Sequence, residues 1–503
     1  MELHELSGLE LGAKVRSKEV SVSEVLDHFE KRITEKDPKL HAFTYTAFEE
    51  ARKAGEKIQA DIMEGYGGPL AGVPVGLKDF LPSKKGWKNS HGGVEALQQI
   101  DDADSEFCKA VESAGAIVVG KTNAPAFGFR GVTDNHMYGP TSTPFDVSRN
   151  SGGSSGGSAS AVGGGLLAAA EGGDAGGSIR IPSAWCGCFG FKPSAGLVPS
   201  VCRPDAWTAT HPYCCGGPIT RTVEDAAMIL SYMTKYDPRD PLSVPLPYSA
   251  TDFLGVKRRV NSTSKPLSGM RVAITHNFDL FPDPESEIAE TIDRVARILV
   301  KAGAIVTTPK FKFNYSLEEY ESAWLRSISI DSSIDLELAK QNGFDLIKEH
   351  PEQLPIPFME WNDIAISSTM LDYRKFHEIR TDVLDAHQDI FDRFDIIFAP
   401  VAGCSPVKNR VEVGELDRGD DGLTHGPSEI NGAHVDNLIG FSYTFLENFI
   451  GTPAASVPGG LTSDNLPVGV QVIANRYRDI DVFKVAYVLE RDNPWNYNIP
   501  FNI

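Results

Sequence analysis

Between Asn150 and Pro199 the chain reads NSGGSSGGSASAVGGGLLAAAEGGDAGGSIRIPSAWCGCFGFKPSAGLVP, a stretch that few folds can take in. Glycine, serine and alanine dominate it as they would a flexible linker, but a linker needs no apolar face. This stretch carries Val162, Leu166, Leu167, Ile179, Ile181, Trp185, Phe189 and Phe191, which demand burial. Glycine at this density inside a buried segment means backbone packed on backbone, or N–H groups turned toward a ligand. Two serines sit in glycine nests, Ser154 in GGSSGG and Ser178 in GGSIR. Chemistry is expected there.

The flanking sequence says what surrounds this segment. Ser21 and Glu24 are spaced as a capping box ahead of Val25, Leu26, Phe29 and Ile33. A second helix is expected to align Ala47, Ala51, Ala54, Ile58 and Ile62. VPVGLKDF (73–80) reads as a buried strand ending at Lys78-Asp79, residues 104–114 as a helix, and AIVVGKT (116–122) as a further strand. GGSASAVGGGLLAAA reads as a tightly packed helix beginning just after Ser154 and Ser155. Beyond it come strands at 271–275, 303–307, 394–400, 453–458 and 466–474, a helix from Asp283-Pro284, and a mostly helical run from Leu317 to Phe391. Residues 406–438 read as a long surface loop and 479–491 as a last amphipathic helix. Strands alternating with helices predict an α/β/α layered fold around a large mixed, mostly parallel sheet. No linker divides the chain, so residues 1–503 are read as one domain. Its parts are N-terminal helices (1–65), a core (66–310), a helical insertion (311–390) and strands and a helix that complete the core (391–503).

Composition narrows the partners. A formal charge of −20 repels phosphate backbones and argues against nucleic acid. No apolar run is long enough to span a membrane, and the polar start MELHELSGLELGAK lacks the features of a signal peptide. The seven cysteines show no metal-binding or disulfide-framework spacing, which fits free thiols in a cytoplasmic protein. No metal or other cofactor is expected.

Seven blocks then occur in order: GVPVGLKD, GKTNAPAFG, GGSSGGSASAV, GGDAGGSIRIPSAWCG, GFKPSAGLVP, GPITRTVEDAA and GTPAASVPGGLTSDNLPVGVQVIA. Together they resemble the amidase signature family of serine hydrolases over about residues 65–485. The resemblance implies a Ser–Ser–Lys triad with Ser178 as nucleophile, Ser154 as proton relay behind a cis Gly153–Ser154 peptide, and Lys78 as base. It implies supporting roles for Ser155, Asp174 and Arg180 around the reacting loop.

The residue types suit that chemistry. A serine hydroxyl is a poor nucleophile without a base. Lysine serves as a base only when desolvation or a neighbouring positive charge keeps it neutral, and Lys78 ends an apolar strand. Ser154 can pass a proton from Ser178 to Lys78 and return it to the leaving amine. Ala175, Gly176, Gly177 and Ser178 offer unobstructed N–H groups for an oxyanion hole. The expected reaction is hydrolysis of a linear or cyclic carboxylic amide of apolar, aryl or oligomeric character, with esters or carbamates as side substrates. Phe127, Met137, Trp207 and Phe445 are expected to line the substrate pocket. The partners are then the amide and water, with a homodimer allowed.

The blocks also depart from the family pattern. Gly173 and Ala175 replace the threonines of the usual Gly-Thr-Asp-Thr-Gly-Gly-Ser, and Ala126 replaces an acidic residue. The rival reading is an A-subunit-like component of a tRNA-dependent amidotransferase. The position that grips glutamine's amino group in those subunits is Phe441 here, which argues against it. GxSxG at Gly152–Gly156 or Gly153–Gly157 evokes an α/β-hydrolase, but DVSRNSGG is too polar for the buried strand that must precede such an elbow.

Overall fold

The alternating strands assemble into one 11-stranded sheet. In the computed structural model, which describes residues 2–81, 83–203, 205–210, 212–245, 248–249, 251–413 and 422–495, its strands come from both ends of the chain. They are β1 (Phe43–Thr46), β2 (Pro74–Lys78), β3 (Ile117–Thr122), β4 (Ala169–Asp174), β5 (Phe189–Lys192) and β6 (Cys215–Thr220). The later ones are β7 (Arg271–Ile274), β8 (Ile305–Thr307), β9 (Ile396–Pro400), β10 (Ala454–Leu461) and β11 (Pro467–Ala474). Across the sheet they lie in the order β1-β3-β2-β4-β6-β5-β10-β11-β9-β7-β8.

The expected α/β layering holds, but the sheet is mixed rather than mostly parallel. Four of its pairings are parallel, at β3/β2, β2/β4, β9/β7 and β7/β8, and six are antiparallel. The reason lies in the connections. GLTSDNLP turns β10 straight back into β11, a hairpin that only antiparallel strands can make.

Strand periodicity separates the two largest of three apolar clusters. Along β9, Ile396 and Phe398 join one apolar cluster while Ile397 and Ala399 join the other. The first cluster takes in the N-terminal helices and the last helix, Asp479–Asp492. The second takes in the helices Leu317–Gln341, Ile356–Ser367 and Met370–Phe391. The capping box is formed: Ser21 caps Val22–Leu40, with Glu24 N donating to Ser21 Oγ and Ser21 N to Glu24 Oε2.

Three readings change. In the helix Phe48–Met63 the buried face runs through Ala51, Gly55 and Ile62, and Ala54 is exposed. The glycine-rich helix stops at Gly163, and Ala169 and Ala170 open β4 instead of ending that helix. Consecutive glycines at 163–165 remove the side chains that would favour its continuation. Within 406–438, Leu423, Thr424, Ile430 and Val435 are buried, so this is no plain surface loop; residues 414–421 lie outside the described residues.

Dense glycine does what its frequency implied. The helix Gly156–Gly163 lies against the end of β3 so closely that a Cβ at Gly157 would stand 2.2 Å from Asn123 N. Ser154 is thereby carried to the C-terminal end of β2.

Candidate active site

Lys78 is the last residue of β2, a strand buried along its whole length. Its side chain is 6% exposed, and Nζ donates to Ser154 Oγ at 2.7 Å. Among the described residues no carboxylate lies within ion-pair distance of it. Burial pulls the amine down to about 8, against the weaker upward pull of Cys214, Asp174 and Glu171. The Gly153–Ser154 peptide is cis, as the resemblance implied.

Ser178 follows the turn that ends β4. It is half-buried and lines a cavity together with Gly128, Phe129, Arg130, Ala175, Gly176, Ile181, Trp324, Ile328, Leu438 and Ile439. Gly128 ties this cavity to Ser154: a Cβ there would lie 3.3 Å from Ser154 Oγ. Ser155 N donates to Ser178 O, and Ser155 Oγ accepts from Gly173 N, so Ser155 links the two serine-bearing turns.

A buried polar network fixes the turn before Ser178. Asp174 is held by the Arg180 guanidinium through Nε at 3.0 Å and Nη2 at 2.9 Å. Burial works to raise the Asp174 pKa, but the Arg180 charge and hydrogen bonds outweigh it and hold the group at about 2. Arg180 also donates to Glu447, Gln471 and Asn448. Asp174 accepts from the N–H groups of Gly177 at 2.8 Å and Ile179 at 3.1 Å.

That last arrangement bears on one of the expected oxyanion donors. The Gly177 N–H is engaged by Asp174, because the carboxylate that shapes the turn sits inside it. The N–H groups of Gly176 and Ser178 have no acceptor among the described residues.

The four expected pocket residues do not line this cavity. Phe127 is half-buried and stacks on Phe358 at 4.4 Å. Met137 is half-buried with Sδ 3.4 Å from Gln98 Nε2. Trp207 is 58% exposed, and Phe445 is buried between Phe281 and Phe449. The apolar wall instead comes from Phe129, Trp324, Ile328, Leu438 and Ile439. Trp324 and Ile328 stand one turn apart on the helix Leu317–Gln341, where nothing local marks them. Gln471 did leave a trace, as the polar residue in the apolar strand VGVQVIA.

One set of metal-type donors gathers at the N-terminus. Glu2, His4 and His28 have ligand atoms within 4.8 Å of one another, a grouping that the 24-position separation of the two histidines hides in the sequence. The seven cysteines are all unbridged. Among the described residues no helix is long and apolar enough to cross a membrane.

The whole chain resembles known proteins. The model of the Amidase family matches residues 24–483. An acylamidase of Rhodococcus erythropolis is 31% identical, covering 98% of this chain and 96% of its own. The A subunit of glutamyl-tRNA(Gln) amidotransferase of Geobacillus stearothermophilus is 30% identical, covering 99% of this chain and 100% of its own. The crystal structure of a bacterial aryl acylamidase of the amidase signature enzymes superposes with a TM-score of 0.92 at 37% identity, covering 100% of this chain and 99% of its own.

Proposed function

Because the chain belongs to the Amidase family, we propose that it hydrolyses the C–N bond of carboxylic amides through an acyl-enzyme on Ser178. The observation that carries this reading is the buried Lys78 amine, 2.7 Å from Ser154 Oγ, with Ser154 beside Gly128 of the cavity that Ser178 lines. Ser178 Oγ attacks the carbonyl carbon while its proton passes to Ser154, whose own proton moves to neutral Lys78. The carbonyl oxygen becomes an oxyanion that the Gly176 and Ser178 N–H groups stabilise. As the C–N bond breaks, the proton returns through Ser154 to the departing amine. Water then attacks the acyl-serine by the same route, releasing the acid and restoring Ser178.

The apolar wall of Phe129, Trp324, Ile328, Leu438 and Ile439 suits an apolar or aryl amide of small to medium size. Such a substrate agrees with the chain's likeness to an acylamidase and an aryl acylamidase. A role as an amidotransferase A subunit is less well supported. Phe441 is fully buried and stacks on Trp185 at 5.6 Å, so its position offers no carboxylate to an incoming amino group.

The test is hydrolysis of a panel of anilides and alkyl amides by the wild type and Ser178→Ala. The expected result is turnover of apolar anilides that is abolished in the variant while its thermal midpoint stays within about a degree. Retained turnover in Ser178→Ala overturns the reading.

A further inference from the structure

The turn that carries Ser178 is held from a distance. Trp324, on the helix Leu317–Gln341, donates from Nε1 to Ala175 O at 2.9 Å. The next carbonyl, Gly176 O, accepts from Thr444 Oγ1 at 2.6 Å and Ser442 Oγ at 3.3 Å. The indole also lies flush on the turn: a Cβ at Gly176 would stand 2.6 Å from Trp324 Cζ2. Trp324 is 6% exposed and meets Trp361 edge-to-face at 6.0 Å, and Trp361 meets Phe129 at 4.9 Å. Its ring is thus fixed on both sides.

The planar peptide unit gives this contact a consequence. Ala175 O and the Gly176 N–H belong to one rigid plane and point in opposite senses. Anchoring the carbonyl therefore anchors the direction of the N–H. Glycine at 176 leaves that plane free to turn if nothing holds it, and alanine at 175 carries no hydroxyl with which the turn could hold itself. Trp324 supplies the missing hydrogen bond from 149 residues away. The same residue walls the cavity beside Ser178.

We propose that Trp324 is the positioning residue of the oxyanion turn as well as the apolar wall of the cavity, so that one ring both aims the Gly176 N–H and selects apolar substrates. This rests on the reading of Ser178 as nucleophile. Trp324 takes no part in bond making. It keeps the Gly176 donor aimed before charge develops on the carbonyl oxygen, so its contribution belongs to the transition state.

Trp324→Phe separates the two roles, since it keeps an aromatic wall and removes the donor. The variant is expected to lower kcat on an apolar anilide about ten-fold, less than loss of a direct oxyanion donor, with KM changed by under about two-fold. An arylboronic acid, which mimics the tetrahedral adduct, should bind more weakly by a similar factor. Trp324→His, which keeps a ring N–H, should recover part of kcat. Trp324→Met, which also removes the donor while keeping an apolar wall, should show the same loss of kcat and serves if Trp324→Phe does not fold. A variant with unchanged kcat and boronate affinity, or one that loses activity through KM alone, overturns the proposal. Ser178→Ala on the same anilide separates the two levels: if it stays active, the reading of the site fails, and if it is dead while Trp324→Phe is normal, only the role of Trp324 fails.

Discussion

Lys78 and Lys121 stand on neighbouring parallel strands, Lys121 opposite Leu77 and Lys78 opposite Thr122, so their side chains leave the sheet on opposite faces. Both are buried, Lys121 fully. Lys121 meets a carboxylate, with Nζ 2.6 Å from Asp101 and 4.0 Å from Asp79. Lys78 meets a hydroxyl. A buried ammonium beside carboxylates is a compensated charge that ties segments together. A buried amine beside a neutral hydroxyl pays for its burial in basicity and becomes a proton acceptor near neutral pH. Burial alone therefore does not make a lysine a base; its partner decides.

The largest effects should fall on opposite properties of the two lysines. Lys78→Ala should lower kcat by about a thousand-fold or more, within the range of general-base loss, with the melting temperature unchanged or raised. Steady-state kinetics and calorimetry check both halves. Lys121→Met should do the reverse, leaving Asp101 buried without its partner and costing about 3–5 kcal/mol of stability. Urea denaturation reads that loss, and the folded fraction should keep kcat within a few-fold. If Lys121→Met proved catalytically dead yet stable, the contrast would collapse.

A smaller effect concerns pH. In the unfolded chain Lys78 titrates near an ordinary lysine value of about 10.4, whereas folding holds it at about 8. Between those values the unfolded state binds more protons, so Lys78 makes stability rise with pH across that window. Denaturation between pH 7.5 and 10.5 should show this rise as a difference between wild type and Lys78→Met; parallel curves would contradict it.

How much of this was visible in the sequence follows from the range of each interaction. Ser154 and Ser178 stood out because close backbone packing needs glycine at many adjacent positions and leaves a dense local signal, and Lys78 because it matches the family motif and ends an apolar strand. The Ser21–Glu24 cap and the buried strand ending at Lys78 were legible for the same reason, being local. Sheet direction was not, since it depends on how connections cross rather than on strand composition. Nor was the cavity wall. Trp324 and Ile328 come from one segment and Leu438 and Ile439 from another far along the chain, and their residue types are those of any core. Phe445 and Trp207 show the converse, one absorbed into the core and the other left on the surface.

The smallest expected effects sharpen the contrast by elimination. His91→Ala and His136→Ala should keep activity within about three-fold, because the proposed proton path runs through Lys78 and not through imidazole. His211 is expected to be equally dispensable, though it lies outside the described residues. Exhaustive chelation should leave kcat unchanged, including any effect through Glu2, His4 and His28. A dead histidine variant beside an active Lys78→Ala enzyme would reinstate a Ser–His mechanism.

The central claim is that Ser178 is the nucleophile and that the buried Lys78 amine activates it. Its most direct test is the rate of labelling by a fluorophosphonate as a function of pH, with the adduct mapped by mass spectrometry. The account predicts a single adduct on Ser178 whose rate of formation rises through about pH 8, following deprotonation of Lys78. An adduct on Ser154 or Ser155, or a Ser178 labelling rate that is flat from pH 6 to 10, would contradict it.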